Sequence, residues 1–169
     1  MKLLIDDFIS TFKNKLNWTL VCRYNQLDEP FIEFVDWETI SHCQNLSEIF
    51  IATFKDDLDW KLISRYQNLS EDFIREFQHL VDWTNISSYR ELSAKFIQEF
   101  HDVLDWPSMC IHQHLPEHII RQFSDKVDWN LISEYRNLCE DFIHEFEDKV
   151  NWELILKNQD LSDEFRSQH

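Results

Sequence analysis

The chain carries seven tryptophans at a nearly constant interval. They stand at positions 18, 37, 60, 83, 106, 129 and 152, and after a first gap of nineteen residues every gap is twenty-three. A fixed interval with the same neighbourhood in each copy is the signature of a repeat protein. The copy that begins at Leu69 reads LSEDFIREFQHLVDWTNISSYRE, and the next copy begins at Leu92. The fold therefore has to be built from one small element used many times.

Each repeat predicts two short helices separated by tight corners. In the repeat from Leu46 to Asn68, Ser47 is a suitable N-cap, and the apolar residues that follow it at helical spacing predict an amphipathic helix of about ten residues. Asp59 is the N-cap of a second helix, one face of which carries Trp60, Ile63, Ser64 and Gln67. Asn68 stands where a residue in the left-handed conformation often ends a helix, and we expect it to replace glycine there.

The repeats predict the architecture of the whole chain. A pair of helices this short cannot bury its apolar face alone, whereas stacked neighbours can. We therefore predict an all-α fold, an α-solenoid of about seven short helical hairpins that forms a single domain over residues 1–169, with the Trp and Phe side chains as its core. The repeats start near Leu4, Leu27, Leu46, Leu69, Leu92, Leu115 and Leu138; four residues are missing from the first helix of the second one, and 161–169 form a truncated terminal cap.

Composition excludes several classes of function. The chain has 32 acidic and 16 basic residues, a formal net charge of -16, so we expect no direct binding of nucleic acid. It contains no glycine, which excludes Gly-rich phosphate loops and dinucleotide-binding fingerprints. No stretch approaches the ~20 apolar residues of a membrane helix, and no secretory leader is visible. We therefore expect a cytoplasmic protein without a membrane partner.

One segment departs from the repeat and contains residues able to bind a metal. Cys110, His112, His114 and His118 lie within nine residues and are zinc ligands by type. Their spacing is poor, because the group runs from one helix through a corner into the next. Cys110 stands where other repeats have Ser, and His112 where they have Tyr, so local sequence drift is the simpler interpretation. A metal-binding or hydrolytic protein centred on these four residues is the alternative hypothesis.

The remaining acidic residues give no reason to predict an enzyme. Pairs such as Glu71-Asp72 and Glu140-Asp141 recur at helix starts, where capping and solvation explain them. Repetition also argues against a single catalytic centre. The sequence predicts no catalytic, cofactor-binding or metal residue and no cofactor.

The predicted function is a non-enzymatic protein-protein interaction module. A solenoid presents an extended surface that commonly binds other proteins, and a strongly acidic surface favours a partner with a basic one. The partner's basic surface could be a protein segment or a nucleic-acid-binding groove that the chain occupies as a mimic. Alternatively, the acidity only keeps an aromatic-rich chain in solution.

Two phrases of the repeat, LSEDFIREF at 69–77 and VDWTNIS at 81–87, resemble a repeat seen in proteins of large DNA viruses of amoebae and in some phage-like sequences. The resemblance extends from Leu4 to Phe165. It implies a viral or mobile-element origin and, in that case, a location inside the host cell, but it brings no activity and no catalytic residues. By analogy with anti-CRISPR inhibitors, we expect an inhibitor of a host protein.

Overall fold

A computed structural model of the chain describes residues 15–24 and 35–168, and this part is helical, with no strand. Seven of its helices begin at a tryptophan; these B helices are Trp18–Tyr24, Trp37–Cys43, Trp60–Tyr66, Trp83–Tyr89, Trp106–His112, Trp129–Tyr135 and Trp152–Asn158. Six A helices are described, namely Glu48–Thr53, Glu71–Glu76, Ala94–Phe100, Glu117–Gln122, Glu140–Glu145 and Asp163–Gln168. The predicted helices at 4–14 and 27–34 lie outside the described residues.

The predicted fold class is confirmed: the chain is an all-α solenoid in which the helices recur with the repeat. It divides into two compact parts, an N-terminal half (1–82) and a C-terminal half (83–169). Within each half, the B helix of one repeat packs against the B helix of the next. The single domain over 1–169 stays a prediction.

Most of the predicted helix N-caps are confirmed. The side chains of Asp36, Asp59, Asp105, Asp128 and Asn151 accept hydrogen bonds from backbone N–H groups in the first turn of the following B helix. Ser47, Ser70 and Ser93 cap A helices in the same way. Pro116 and Cys139 occupy the equivalent position without a capping side-chain bond. The repeated Asp/Asn and Ser residues therefore set where each helix begins, because they satisfy its unpaired N–H groups.

The A helices are shorter than the predicted ten residues. The helix from Glu48 ends at Thr53, and Phe54 leaves the helical conformation at φ -108° and ψ 26°. The chain then makes a further turn, closed by a hydrogen bond of 3.2 Å from the Leu58 N–H to the Phe54 carbonyl. This turn buries Leu58 and brings Asp59 to the start of the B helix. The apolar residues face the core as predicted, but they belong to a shorter helix and to the turn that follows it.

The prediction that Asn68 ends its helix in the left-handed conformation is wrong. No described residue has a positive φ, and the B helix before Asn68 ends at Tyr66, followed by Gln67 in an extended conformation as its C-cap. The last carbonyl groups of these helices are satisfied by a side chain of the next repeat. Gln67 Nε2 donates to the Ser41 and Gln44 carbonyls at 2.9 and 2.8 Å, while Gln67 Oε1 accepts from the Leu46 N–H at 2.9 Å. Capping by the neighbour removes the need for glycine at the corner.

The same position makes the same connection elsewhere. We call it the clamp position, which comprises Gln44, Gln67, Arg90, Gln113, Arg136 and Gln159. Gln113 Nε2 donates to the Ser87 carbonyl at 2.8 Å and to the Arg90 carbonyl, and Gln159 Nε2 donates to the Arg136 carbonyl. The glutamines at this position are buried. At five of these positions the clamp residue thus joins its own repeat to the one before it through buried or partly buried hydrogen bonds, namely at Gln44, Gln67, Gln113, Arg136 and Gln159.

The truncated repeat at 161–168 continues this arrangement. Leu161 is buried, and the Phe165 ring lies 6.3 Å from the ring of Trp152. Arg166 donates to the carbonyls of Leu156 and Gln159 at 2.8 and 2.9 Å. These carbonyls are the counterparts of those that a clamp residue reaches from a following repeat. Arg166 therefore caps the last described B helix from within the truncated repeat.

The most deeply buried side chains of the core are mainly aliphatic, although Phe96 and Phe142 are also completely buried. Ile40, Ile63, Ile86, Ile132 and Ile155, with Met109 at the same repeat position, are completely buried. Among the tryptophans with a described side chain, Trp106 is buried at 7 % exposure and the others are only partly buried. Apart from Trp106, the described Trp side chains therefore lie at the margin of the core, which corrects the expectation that Trp and Phe side chains together form it.

Each described Trp side chain links its repeat to the next one. The Trp129 ring lies 4.9 Å from the ring of Phe146 in the following A helix, and its Nε1 donates to the Ser124 carbonyl at 3.0 Å. Trp60 stacks on Phe77 in the same manner at 5.4 Å. The backbone of the next repeat segment also approaches closely at the small Ser64, whose hydroxyl accepts from the Asp82 N–H at 2.9 Å. Indole stacking and the clamp hydrogen bonds together hold successive repeats in register.

Candidate interaction surfaces

A polar groove lies between the ends of successive B helices in the C-terminal half. Its larger hollow encloses about 470 Å³ between the segment 88–92 and residues 112–114. A second hollow of about 170 Å³ lies between His114 and Leu115 on one side and residues 135–137 on the other. His114 lines both hollows, so they form one surface feature. We call this feature, lined by residues 88–92, 112–115 and 135–137, the Tyr groove.

Exposed aromatic rings line the Tyr groove. Tyr89 and Tyr135 are 48 % and 49 % exposed. Between them in the repeat order lies His112, whose ring stacks on that of Tyr89 with centroids 6.3 Å apart and planes 19° apart. These residues are the last of their B helices, one turn beyond the buried Ile position, where the helix ends and the ring reaches solvent. The groove therefore presents aromatic faces to solvent at a fixed repeat position.

Hydrogen bonds fix the floor of this groove. Gln113 holds the carbonyls of Ser87 and Arg90, and Arg136 holds those of Cys110, Ile111 and Gln113. The Arg136 contacts measure 2.6 to 2.9 Å. Burial lowers the pKa of Arg136 from its ordinary value, but an arginine remains protonated in proteins. The corner backbone is therefore held in place before any ligand arrives.

Exposed carboxylates dominate the rest of the C-terminal half. Asp125, Glu134, Asp141, Asp148 and Asp160 are exposed and form no ion pair within the described part of the chain. Several cations are already engaged. Arg121 pairs with Glu145 at 2.6 Å, which lowers the pKa of that carboxyl, and Lys126 pairs with Asp102 at 2.6 Å. The negative charge of this half is therefore available to a partner, whereas much of its positive charge is not.

The structure does not bring the candidate metal ligands together. Cys110 is buried, and its thiol accepts a hydrogen bond from the backbone N–H of Asp128. Burial raises the pKa of this thiol to about 11, which opposes the thiolate form that binds zinc. His112 lies on Tyr89, and His114 and His118 are exposed. Across residues 15–24 and 35–168, no group of three His, Cys, Asp or Glu side chains is placed to hold a metal ion.

The paired acidic residues have structural roles. Glu140 accepts from the Ser162 N–H of the next repeat at 2.6 Å, while Asp141 beside it is exposed. Arg75 makes ion pairs with both Glu71 and Asp72. The sequence had indicated capping and solvation for these pairs, and the structure adds a bond between repeats that the local pattern did not reveal.

Comparison with protein-family models, curated proteins and solved structures finds no match for the chain. The resemblance to viral and phage-like repeats therefore stays a prediction. No helix in the described ranges is long and apolar enough to cross a membrane. The Tyr groove and the exposed carboxylates are the two surface features on which a functional argument can be built.

Proposed function

We propose that this chain is a non-enzymatic interaction module that binds a basic surface of a partner protein. That basic surface is one that ordinarily binds nucleic acid, so the chain acts as an inhibitor by occupying it. Electrostatic complementarity of this kind increases the rate of encounter and selects against acidic partners. The repeat phrases suggest a viral or mobile-element inhibitor, and we assign to it this specific mode of action.

One observation carries this proposal: several exposed carboxylates of the C-terminal half form no ion pair within the described residues, while four of the cations of this half already have partners within the protein. Arg136 and Arg166 direct their guanidinium groups to backbone carbonyls, and Arg121 and Lys126 are in ion pairs. If acidity served solubility alone, a surface of mixed charge would be sufficient. A net charge of -16, together with exposed carboxylates that have no ion-pair partner among the described residues, favours a role in binding.

A capture experiment with charge variants tests the proposal. The protein is immobilised, incubated with lysate at low salt, and the captured proteins are identified by mass spectrometry. We expect a protein with a nucleic-acid-binding surface, released at about 0.5 M salt because the Debye length falls to a few ångströms. Excess duplex DNA or RNA should release the same protein. Capture that resists both salt and nucleic acid would contradict the proposal.

Matched variants separate charge from shape in that experiment. Replacing Asp125, Glu134 and Asp148 by Asn, Gln and Asn removes three exposed charges, whereas Glu, Asp and Glu at the same positions keep them. The neutral triple variant should lose most of the captured partner, and the charge-conserving variant should retain it. Equal capture by both variants would show that these carboxylates do not bind the partner.

A further inference from the structure

We infer that the junction between repeats 92–114 and 115–137 is a hinge, at which the N-terminal ends of the A helices Ala94–Phe100 and Glu117–Gln122 separate more readily than the same ends at other junctions. We call it the Pro116 junction. Such a hinge goes beyond the proposed function, because it is a property of the chain itself and needs no partner. The hinge follows from hydrogen bonds to the backbone that other junctions have and that this junction has lost or weakened.

Three other junctions share a hydrogen bond at the start of the A helix. A glutamate in the first turn of one A helix accepts the backbone N–H of the residue that precedes the next A helix. The pairs are Glu48 with Ser70 at 2.6 Å, Glu117 with Cys139 at 2.8 Å, and Glu140 with Ser162 at 2.6 Å. At the Pro116 junction, Ala94 stands in place of the glutamate and Pro116, which has no N–H, in place of the donor. Both partners of this bond are therefore missing.

A second bond between repeats is weaker at the Pro116 junction. The hydroxyls of Ser64, Ser87 and Ser133 each accept a backbone N–H of the next repeat, at 2.9 to 3.0 Å. Cys110 occupies this position here, and its thiol accepts the N–H of Asp128. Sulfur is a weaker acceptor than a hydroxyl oxygen. Two successive repeats are therefore joined by less directional bonding here than elsewhere in the described chain.

The other polar contacts on the A-helix side join exposed side chains at the far end of the helix. Gln98 Nε2 donates to Gln122 Oε1 at 2.9 Å, and Lys126 pairs with Asp102 at 2.6 Å. Water and salt compete for such contacts, so they contribute little. At its N-terminal end, the helix Glu117–Gln122 depends instead on the burial of Ile119 and Ile120, and apolar packing has no directional preference.

The B helices of the same junction are held by buried and partly buried bonds. Arg136 donates to the carbonyls of Cys110, Ile111 and Gln113 at 2.6 to 2.9 Å. A fixed B side and a loosened A side make the junction a hinge. The exposed carboxylates that follow it are Asp125, Glu134, Asp141, Asp148 and Asp160. Because each repeat contacts only its neighbours, movement at the hinge turns these carboxylates as a group relative to residues 83–114.

Amide hydrogen exchange of the unmodified chain compares two equivalent residues on either side of the next junction. The N–H groups of Ile120 and Ile143 donate to the carbonyls of Pro116 and Cys139 at 3.2 and 3.0 Å. Both isoleucines are completely buried, and neither helix has a side-chain cap. Since only Cys139 is bonded to a glutamate of the preceding repeat, the protection factor of Ile120 should be about tenfold lower than that of Ile143. Equal protection of the two would overturn the hinge.

Restoring the missing bond should close the hinge. The double variant Ala94→Glu and Pro116→Ser supplies both the acceptor and the donor. Pro116→Ser alone adds a helix cap without the acceptor, so it is the matched control. The protection factor of Ile120 should be about tenfold higher in the double variant than in this control, while Ala94→Glu alone should change it less than about twofold. A double variant no better protected than Pro116→Ser would contradict the hinge.

Spin-label distances measure the movement itself. Labels at Lys95→Cys and His118→Cys span the Pro116 junction, and labels at His118→Cys and Asp141→Cys span the next one; all three residues are exposed and share one repeat position. Cys43→Ser and Cys139→Ser remove the native thiols that are not buried. We expect a broader distance distribution across the Pro116 junction, which the double variant should narrow. Equal widths for the two label pairs would overturn the hinge.

Discussion

The neighbouring repeats 92–114 and 115–137 join to the repeats before them by different chemistry at the clamp position. Gln113 donates to the Ser87 and Arg90 carbonyls and accepts from the Leu92 N–H at 3.4 Å. Arg136 donates to three carbonyls and accepts nothing, because a guanidinium has no acceptor. What the two residues share is a long side chain with several donors. The clamp therefore requires donors that reach the carbonyls, and the residue type is secondary.

The same two repeats differ where the next repeat approaches the B helix. The Ser133 hydroxyl donates to the Trp129 carbonyl at 2.6 Å and accepts from the Asn151 N–H at 3.0 Å. Cys110, at the same repeat position, accepts from the backbone N–H of Asp128. Both side chains are completely buried. The close approach of backbone is preserved, and the acceptor changes from oxygen to the weaker sulfur.

The two repeats should differ most in how much their tryptophans contribute to the free energy of unfolding. Trp106→Ala should lower the free energy of unfolding by ~3–5 kcal/mol, because this side chain is buried and its removal leaves a cavity. Trp129→Ala removes a partly exposed ring and should cost about 2–3 kcal/mol, including its stacking on Phe146. Urea unfolding followed by circular dichroism measures both. Equal losses would show that burial does not decide the role of the Trp position.

Breaking the clamp should have the next largest effect. Arg136→Met leaves the carbonyls of Cys110, Ile111 and Gln113 without their donor, and we expect a loss of ~2–4 kcal/mol. Arg121→Met is the matched control, because it removes an exposed arginine paired with Glu145 and should lower the free energy of unfolding far less. The same urea unfolding experiment compares the two. A loss in Arg136→Met as small as in the control would mean that water replaces the clamp without penalty.

Substitutions at Ser133 and Cys110 compare the contribution of the buried hydroxyl with that of the buried thiol. Ser133→Ala removes the acceptor of the Asn151 N–H and should cost ~1–2 kcal/mol. Cys110→Ser introduces the residue used at this position in other repeats and should stabilise the protein by about 0.5 kcal/mol. Thermal melts of the two variants give the sign of each change. Destabilisation by Cys110→Ser would show that the corner around Cys110 has adapted to the larger sulfur.

The sequence predicted the elements of this fold because they are encoded locally. Asp59 and Trp60 mark the start of a B helix within one repeat, and Ile63 follows on the buried face. The clamp could not be found in the same way. The Gln67 side chain bonds to Ser41 and Gln44, which are 26 and 23 residues earlier in the chain. No pattern within a single repeat shows such a bond, so Asn68 was assigned to a capping role that it does not have.

The candidate site left a weaker signal in the sequence. Tyr66, Tyr89 and Tyr135 recur six residues after a Trp, at the last residue of a B helix, and each is about half exposed. A large aromatic residue that recurs at a half-exposed position indicates a surface that binds another molecule. The hollows between successive tyrosines depend on how the repeats stack, which the sequence does not specify.

Amide hydrogen exchange at three leucines tests the central claim that the clamp residue joins the repeats. The N–H groups of Leu92 and Leu138 donate to Gln113 and Gln159, whereas that of Leu115 has no acceptor within residues 15–24 and 35–168 because Arg136 offers none. We therefore expect Leu115 to exchange faster than Leu92 and Leu138 in the native protein. Arg136→Gln should slow Leu115 to the rate of the other two. Protection of Leu115 equal to theirs before the substitution, or unchanged after it, would contradict the account.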